Sequence, residues 1–458
     1  MIRSLLTAAV AATASVVLTA PAALAAPGAV DTAFGERGTV VLDTPVPGGF
    51  SSGTVLAPQR TGTLVVSRRT PGDPRRSSTP GDAVLLVRRL ATGGRWDATF
   101  GDRGATVVDF GRPVVRTSVR VLPDGRVLLL AVLNTLSGQS EAGLALLRPD
   151  GTADPAFGQG RPVVSALGAA PLTDPVNQDP VDPVSVLATA DGGFLVSVDE
   201  RRRTGDGDVL LAKFDRAGRP DPAFGPAGLR RVDLGADEHG VSLFSGPRGE
   251  VLAAGGSWAP GDQDVVVARL RADGTVDPAF SDGGTLRIGV PGTDLVTSSA
   301  IVADGGIVVG GSAAGRWSAL RGAFAARVTL EGRLDEGFGD GGVLLLDDPA
   351  ETSEWLTLAP TTGGSLFLGR HLGVGPFLSR LEEVVARTGA PVRRFGTDGS
   401  VDLGEFLLVS VVPERGGVLV GGFRADPWAP LGVVRRYQDD VPRAVRAQRA
   451  VRGTPAPR

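Results

Sequence analysis

Apolar residues come along this chain in short runs broken by glycine. After Phe224 they are GLRRVDLG (228–235), GVSLFSG (240–246), EVLAAGG (250–256) and DVVVARL (264–270). The next stretch repeats the set as GTLRIGV, SSAIVAD, GIVVGGS and GAFAARV. Runs this short, rich in Val and Leu, predict strands, not helices. Tight turns at Asp124-Gly125, Asp191-Gly192 and Asp304-Gly305 join the second and third runs as hairpins. The pattern predicts an all-β chain of small four-stranded antiparallel meanders.

The runs are spaced by a motif, G-x-x-D-x-x-F-G-x-x-G. Its phenylalanines are Phe34, Phe100, Phe157, Phe224, Phe280, Phe338 and Phe395, separated by 66, 57, 67, 56, 58 and 57 residues. A near-fixed period marks a repeat architecture. Glycine six places before each phenylalanine fits a turn with φ > 0. An aspartate three places before it fits a cap, and three copies continue Asp-Pro-Ala-Phe, so a single tight turn aims an apolar plug inward. The seventh copy has Val392 in place of the aspartate, and the third is irregular at Arg161. Seven copies point to a structural turn with a core anchor, since one chain does not need seven active sites.

Seven such sheets predict a seven-bladed β-propeller. An open solenoid would need atypical capping repeats at its ends. Here the chain supplies a motif at residues 28–38 and a strand at 39–43 with no partner before them. The last unit stops at residues 431–437 with no motif after it. A ring closed by the N-terminal strand accounts for both ends.

On these residues the chain resembles the delta-sixty repeat β-propellers, over residues 28–437. The resemblance implies a secreted or surface protein, chiefly bacterial, and is nearly silent on activity. Val392, the longer connection 381–389 and Leu146 depart from the pattern. Leu146 replaces a basic residue found eleven places before the phenylalanine at Arg89, Lys213, Arg269 and Arg327, read as a solvated strand position or an ion pair between blades. A weaker similarity to NHL-type propellers sets the phase: after the first run come strands a, b and c, and the motif leads into outermost strand d.

Composition adds boundaries. Residues 1–25 carry Arg3, an apolar stretch and Ala23-Leu24-Ala25, which fits a cleaved signal peptide. No later run is long enough to span a bilayer. The propeller occupies 26–437, and 438–458 reads as a disordered basic tail. Cysteine is absent, so stability rests on the core. A net charge of −3 gives no general attraction to nucleic acid. The arginines at 68, 69, 75 and 76 and at 201–203 are interleaved with acids and read as solvated loops.

In an antiparallel meander alternate connections share a face. Hairpins and motifs make one uniform face; the other holds the irregular loops 69–82, 134–141, 166–183, 200–207 and 258–263. Trp258, Trp317 and Trp428 lie in loops between strands b and c, and His371 in the corresponding loop of the sixth unit. They are the candidate ligand-binding residues, for a sugar or peptide; the competing reading makes each indole a lid over the space between blades. Catalytic chemistry is sparse. His239 and His371 sit on different units, so no histidine zinc site is expected. No nucleophile elbow, phosphate loop or EF-hand pattern occurs, and GDGD at 205–208 reads as a solvated turn. No cofactor or metal is called for. The reading is a secreted, extracellular, monomeric binding or scaffold module for an unknown glycan or protein at the cell surface. The alternative is a secreted polysaccharide hydrolase or lyase using the central mouth, which a converging acid–base pair on the irregular face would favour.

Overall fold

The computed structural model describes residues 26–42, 50–70, 84–112, 114–134, 140–167, 185–200, 207–246, 249–259, 262–289, 295–301, 305–312, 322–346, 353–372, 378–424 and 431–439. The expected signal peptide and all but the first two residues of the expected tail lie outside them.

The described residues form an all-β, strand-rich fold. After β1 (Thr39–Val41) comes a four-stranded sheet of β2 (Phe50–Gln59), β3 (Gly62–Thr70), β4 (Val84–Leu90) and β5 (Thr106–Val108). The second is β6 (Val114–Val121), β7 (Val127–Asn134), β8 (Ser140–Leu147) and β9 (Val163–Ala166). The third is β10 (Ser185–Ala188), β11 (Phe194–Glu200), β12 (Asp208–Phe214) and β13 (Leu229–Val232). The fourth is β14 (Asp237–Ser245), β15 (Val251–Ala259), β16 (Asp262–Leu270) and β17 (Thr285–Gly289). The fifth is β18 (Leu295–Ile301), β19 (Ile307–Ser312), β20 (Ala323–Val328) and β21 (Val343–Leu346). The last sheet has seven strands: β22 (Ser353–Pro360), β23 (Ser365–Leu372), β24 (Leu378–Val385), β25 (Ser400–Glu414), β26 (Gly417–Arg424), β27 (Leu431–Gln438) and, at its edge, β1. It consists of two sets sharing β25, whose residues 400–405 pair with β24 and 406–414 with β26.

The core lies between successive sheets. In β7, Val127, Leu129 and Ala131 pack with Leu64 and Val66 of the preceding sheet. The alternate residues Leu128, Leu130 and Val132 pack with Phe194, Val196 and Val198 of the next. Both faces of a middle strand are thus covered, which is why these strands read as continuous apolar runs instead of strict alternation. The outermost strands have one face in solvent, and Val107, Val164 and Leu345 are exposed there.

Each motif folds as the spacing predicts. Its phenylalanine N–H bonds to the carbonyl three residues back, which belongs to Val392 in the seventh copy and to an aspartate in the others; those aspartate side chains accept the N–H two residues on, as Asp97 does from Thr99 at 2.9 Å. All seven phenylalanines are between 0 and 3 % exposed. The glycine six places earlier has a second duty. Gly151 has φ +89°, and a Cβ there would come within 2.7 Å of the Phe100 ring. From Phe34 to Phe338, each plug therefore sits under the glycine of the next motif.

The repeated basic residue is not solvated. Arg89 binds Asp97 of its own motif at 2.7 Å, and its Nη1 donates to the Pro149 carbonyl of the following sheet at 2.8 Å. Arg327 binds Asp335 at 2.7 Å and the Ala386 carbonyl at 2.8 Å. In the second unit, where Leu146 fills the basic position, Arg126 from the hairpin reaches Asp154 at 3.3 Å. Hairpin and motif thus meet on one face. At the chain ends β1 pairs with β27, Thr39 opposite Arg435. Asp31 is ion-paired to Arg436.

Candidate functional site

The irregular face is where the variable connections fall, and most of them lie outside the described residues. Trp317 and Trp428 do too. Trp258 is described by its backbone alone. It lies within β15, opposite Asp237 and Gln263, not in a loop, because β15 and β16 run on to Ala259 and Asp262. His371 also departs from expectation. It lies within β23, opposite Ser379, and is 6 % exposed. The strand continues to Leu372, so His371 is a paired, buried strand residue and not part of a loop.

What the structure brings together on this face is a set of carboxylates. Asp208 opens β12, Asp233 follows β13, and Glu238 lies near the start of β14. One ligand-capable oxygen of each falls within 4.8 Å of the other two. Glu238 is 2 % exposed. Its oxygens accept the main-chain N–H of Ala236 at 2.8 Å and of Leu234 at 3.2 Å, which ties down the connection from β13 to β14. Arg287 closes the other side, donating to the Leu234 carbonyl at 3.0 Å and to Ser257 Oγ at 2.6 Å. Burial pushes the Glu238 carboxyl up to about 7; the two main-chain hydrogen bonds and Arg287 oppose the shift, and the Asp233 charge adds to it.

These three residues could hold a divalent cation through oxygen donors, and a carboxyl that keeps its proton near neutral pH could act as an acid. GDGD was read as a solvated turn, whereas its last residue meets two acids from another connection. A signal was present in the sequence. The string V-D-[FL]-G ends outer strands at 108–111, 232–235 and 401–404. In the first two the aspartate accepts the glycine N–H, at 2.7 and 2.6 Å. That repeat marks the connection between sheets. Glu238 has no such signature, because its meeting with Asp208 depends on two sheets packing side by side.

No helix among the described residues is long and apolar enough to cross a membrane. The chain matches a family model described as "Domain of unknown function (DUF5122) beta-propeller" over residues 122–157 and 249–280. Both stretches begin at the hairpin side and end at a motif phenylalanine, Phe157 and Phe280. No curated protein matches the chain. Among solved structures it is similar to a protein of unknown function from Dyadobacter fermentans, at 12% identity, with 88% of this chain and 98% of that one covered and a TM-score of 0.43. It is similar to the polysaccharide lyase Uly1 at 11% identity, with 87% and 94% covered and a TM-score of 0.48. The β-propeller domain of the Trilobed protease from Pyrococcus furiosus gives 10% identity, 85% and 99% coverage and a TM-score of 0.41. Each matched stretch covers the two middle strands of a four-stranded sheet and the motif turn after them, β7 and β8 in one and β15 and β16 in the other, and together they support a β-propeller repeat family for this chain.

Proposed function

We propose that the chain is a seven-bladed propeller of the delta-sixty repeat type, closed by its N-terminal motif and strand, that acts outside the cell as a binding or scaffold module. Its leader would end at residue 25, and its irregular face would receive a glycan or protein of the cell surface. Closure is supported by bonds that repeat around the chain. The N–H after the phenylalanine donates to the carbonyl before the next motif's glycine: Gly35 to Gly93 at 3.0 Å, Gly101 to Asp150 at 2.7 Å, Gly339 to Thr388 at 3.0 Å. The last of the series runs from Gly396 to Pro27, at 3.0 Å. Leu56 N–H likewise bonds Ser410 Oγ at 3.1 Å, joining the first four-stranded sheet to the last.

The observation that carries the binding reading is the meeting of acids from two sheets on the irregular face. On the uniform face the repeated cations and aspartates are engaged with one another and with the neighbouring sheet. On the irregular face Asp208 and Asp233 converge beside the strand end that bears Trp258. Trp317 and Trp428 complete the proposed aromatic platform. The test is a glycan and peptide array probed with the mature protein, followed by titration of Trp258→Ala and Trp317→Ala. The expected result is a ligand whose affinity falls at least about tenfold in each variant, with little change in melting temperature. Destabilised variants and no array signal would remove the platform.

One observation favours the alternative, a polysaccharide-cleaving enzyme. Glycoside cleavage uses a pair of carboxyl groups, one of which keeps its proton, and Glu238, pushed up to about 7 by burial, lies beside Asp208 and Asp233. Against it, Glu238 is covered and both its oxygens accept main-chain N–H groups. Turnover of a polysaccharide panel that disappears in Glu238→Gln, with folding retained, would favour the enzyme.

A further inference from the structure

One junction reverses the charge pattern of the others. The main-chain N–H of Asp97 bonds to the Arg89 carbonyl at 2.9 Å, and those of Asp221, Asp277 and Asp335 bond to Lys213, Arg269 and Arg327 in the same way. At the sixth unit the matching bond, 2.8 Å long, runs from Val392 to Glu383. An acid thus stands in the cation's position and a valine in the aspartate's. Glu383 is 0 % exposed. In the first unit the cation's partner across the junction is the carbonyl of Pro149, two residues beyond the end of β8. The residue two beyond Tyr437, the strand residue bridged to the N-terminal motif, is Asp439. Glu383 and Asp439 therefore stand where the first, fourth and fifth units place a guanidinium and a carbonyl.

One cation lies near both. Arg394 Nη2 lies 3.9 Å from Glu383 Oε1 and 4.0 Å from Asp439 Oδ1, and its side chain is 55 % exposed. Arg436, the other cation at this end of β27, is ion-paired to Asp31 and Glu414. From β23, Ser365 faces the Glu383 carboxyl. A fully buried carboxylate beside a second carboxylate, with one distant guanidinium, is not stable as an ion. A neutral carboxyl can instead donate its O–H to the acid next to it.

We infer that Glu383 and Asp439 share one proton, which latches the end of β27 to β24, and that its release to water as pH rises loosens the strand that holds β1. Burial is the largest influence lifting the Glu383 carboxyl to about 7, with the Asp439 charge adding to it and Ser365 and Arg394 opposing. The sign follows. With the folded value above the ordinary 4.5, the latched state binds the proton more tightly than the open one. Latching is strongest below about 4.5, is lost as pH rises to about 7, and is level above that.

The test is hydrogen exchange of the full chain between pH 4.5 and 8.5, read as protection factors for a peptide covering Leu431–Gln438. In the wild type, protection should fall by up to about tenfold per pH unit between pH 5 and 7, then level off. Glu383→Gln, a permanently neutral side chain, should abolish the fall. So should Glu383→Arg combined with Val392→Asp, which rebuilds the ion pair of the other units, and this variant keeps the test valid where the amide folds poorly. Glu238→Gln should leave the fall in place. A flat wild-type profile, or a fall that persists in both Glu383 variants, would overturn the latch.

Discussion

Phe280→Ala measures what a motif plug contributes. The ring is 0 % exposed and packs among Leu252, Val265, Ile307 and Phe324, drawn from two adjacent sheets. Gly332 of the next motif lies against its edge, where an added Cβ would stand 3.0 Å from Cδ1. The Arg269 guanidinium carbon is 5.5 Å from the ring centroid. Truncating a fully buried phenylalanine costs roughly 3–5 kcal/mol, and losing the cation–π contact adds about 0.5–1 kcal/mol. Because two sheets and an interlocking turn line the space, it collapses poorly, and a loss near 5 kcal/mol is expected. Phe224 provides the control. It is 3 % exposed and borders a groove of about 460 Å³ shared with Leu167 and Leu229. Water can enter the truncated space there, so Phe224→Ala should cost less, roughly 3 kcal/mol. Equilibrium unfolding in urea, followed by circular dichroism, reads both. A loss under about 1 kcal/mol for Phe280→Ala, or the reverse order of the two variants, would show that the motif is not a packing anchor.

Other expectations concern charge. Asp335→Asn leaves the buried guanidinium of Arg327 without its carboxylate and should cost roughly 2–3 kcal/mol in urea unfolding; Asp402→Asn, at a pair whose acid is exposed, should cost under about 1 kcal/mol. Stability should fall as pH rises from about 5 to 7, because Glu238 and Glu383 are both held at about 7 against an ordinary 4.5; a pH series of melting temperatures reads this, and combining Glu238→Gln with Glu383→Gln should flatten it. On the acid side Asp97, held at about 2 first by Thr99 and then by Arg89, and Asp191, held at about 2 first by Lys213, contribute stability present above about 4 and lost as pH falls toward 2.

The repeat made most of the fold legible. Strand identity, the hairpins and the phenylalanine turns follow from local chemistry that recurs seven times, so one unit corrects another. The basic position was visible as a spacing, but its partner was not. Arg89 reaches a carboxylate eight residues away and a carbonyl in the next sheet, and only the second needs the assembled fold. The candidate site was less legible for the same reason. Glu238 and Asp208 lie 30 residues apart on different sheets, and only packing between sheets brings them together. His371 was misplaced because nothing local fixes where β23 stops; two further residues of pairing buried it.

Closure of the proposed ring can be tested directly, because the chain is free of cysteine. Thr39 and Arg435 are opposite one another across β1 and β27, and opposed residues of an antiparallel pair lie about 4.5–5.5 Å apart at Cα, within disulfide reach. The double variant Thr39→Cys with Arg435→Cys should oxidise within one chain. It should migrate faster than its reduced form on a non-reducing gel, stay monomeric by light scattering, and melt at a higher temperature than the reduced form. Free thiols after mild oxidation, or disulfides formed only between chains, would contradict a ring closed by its own N-terminal strand.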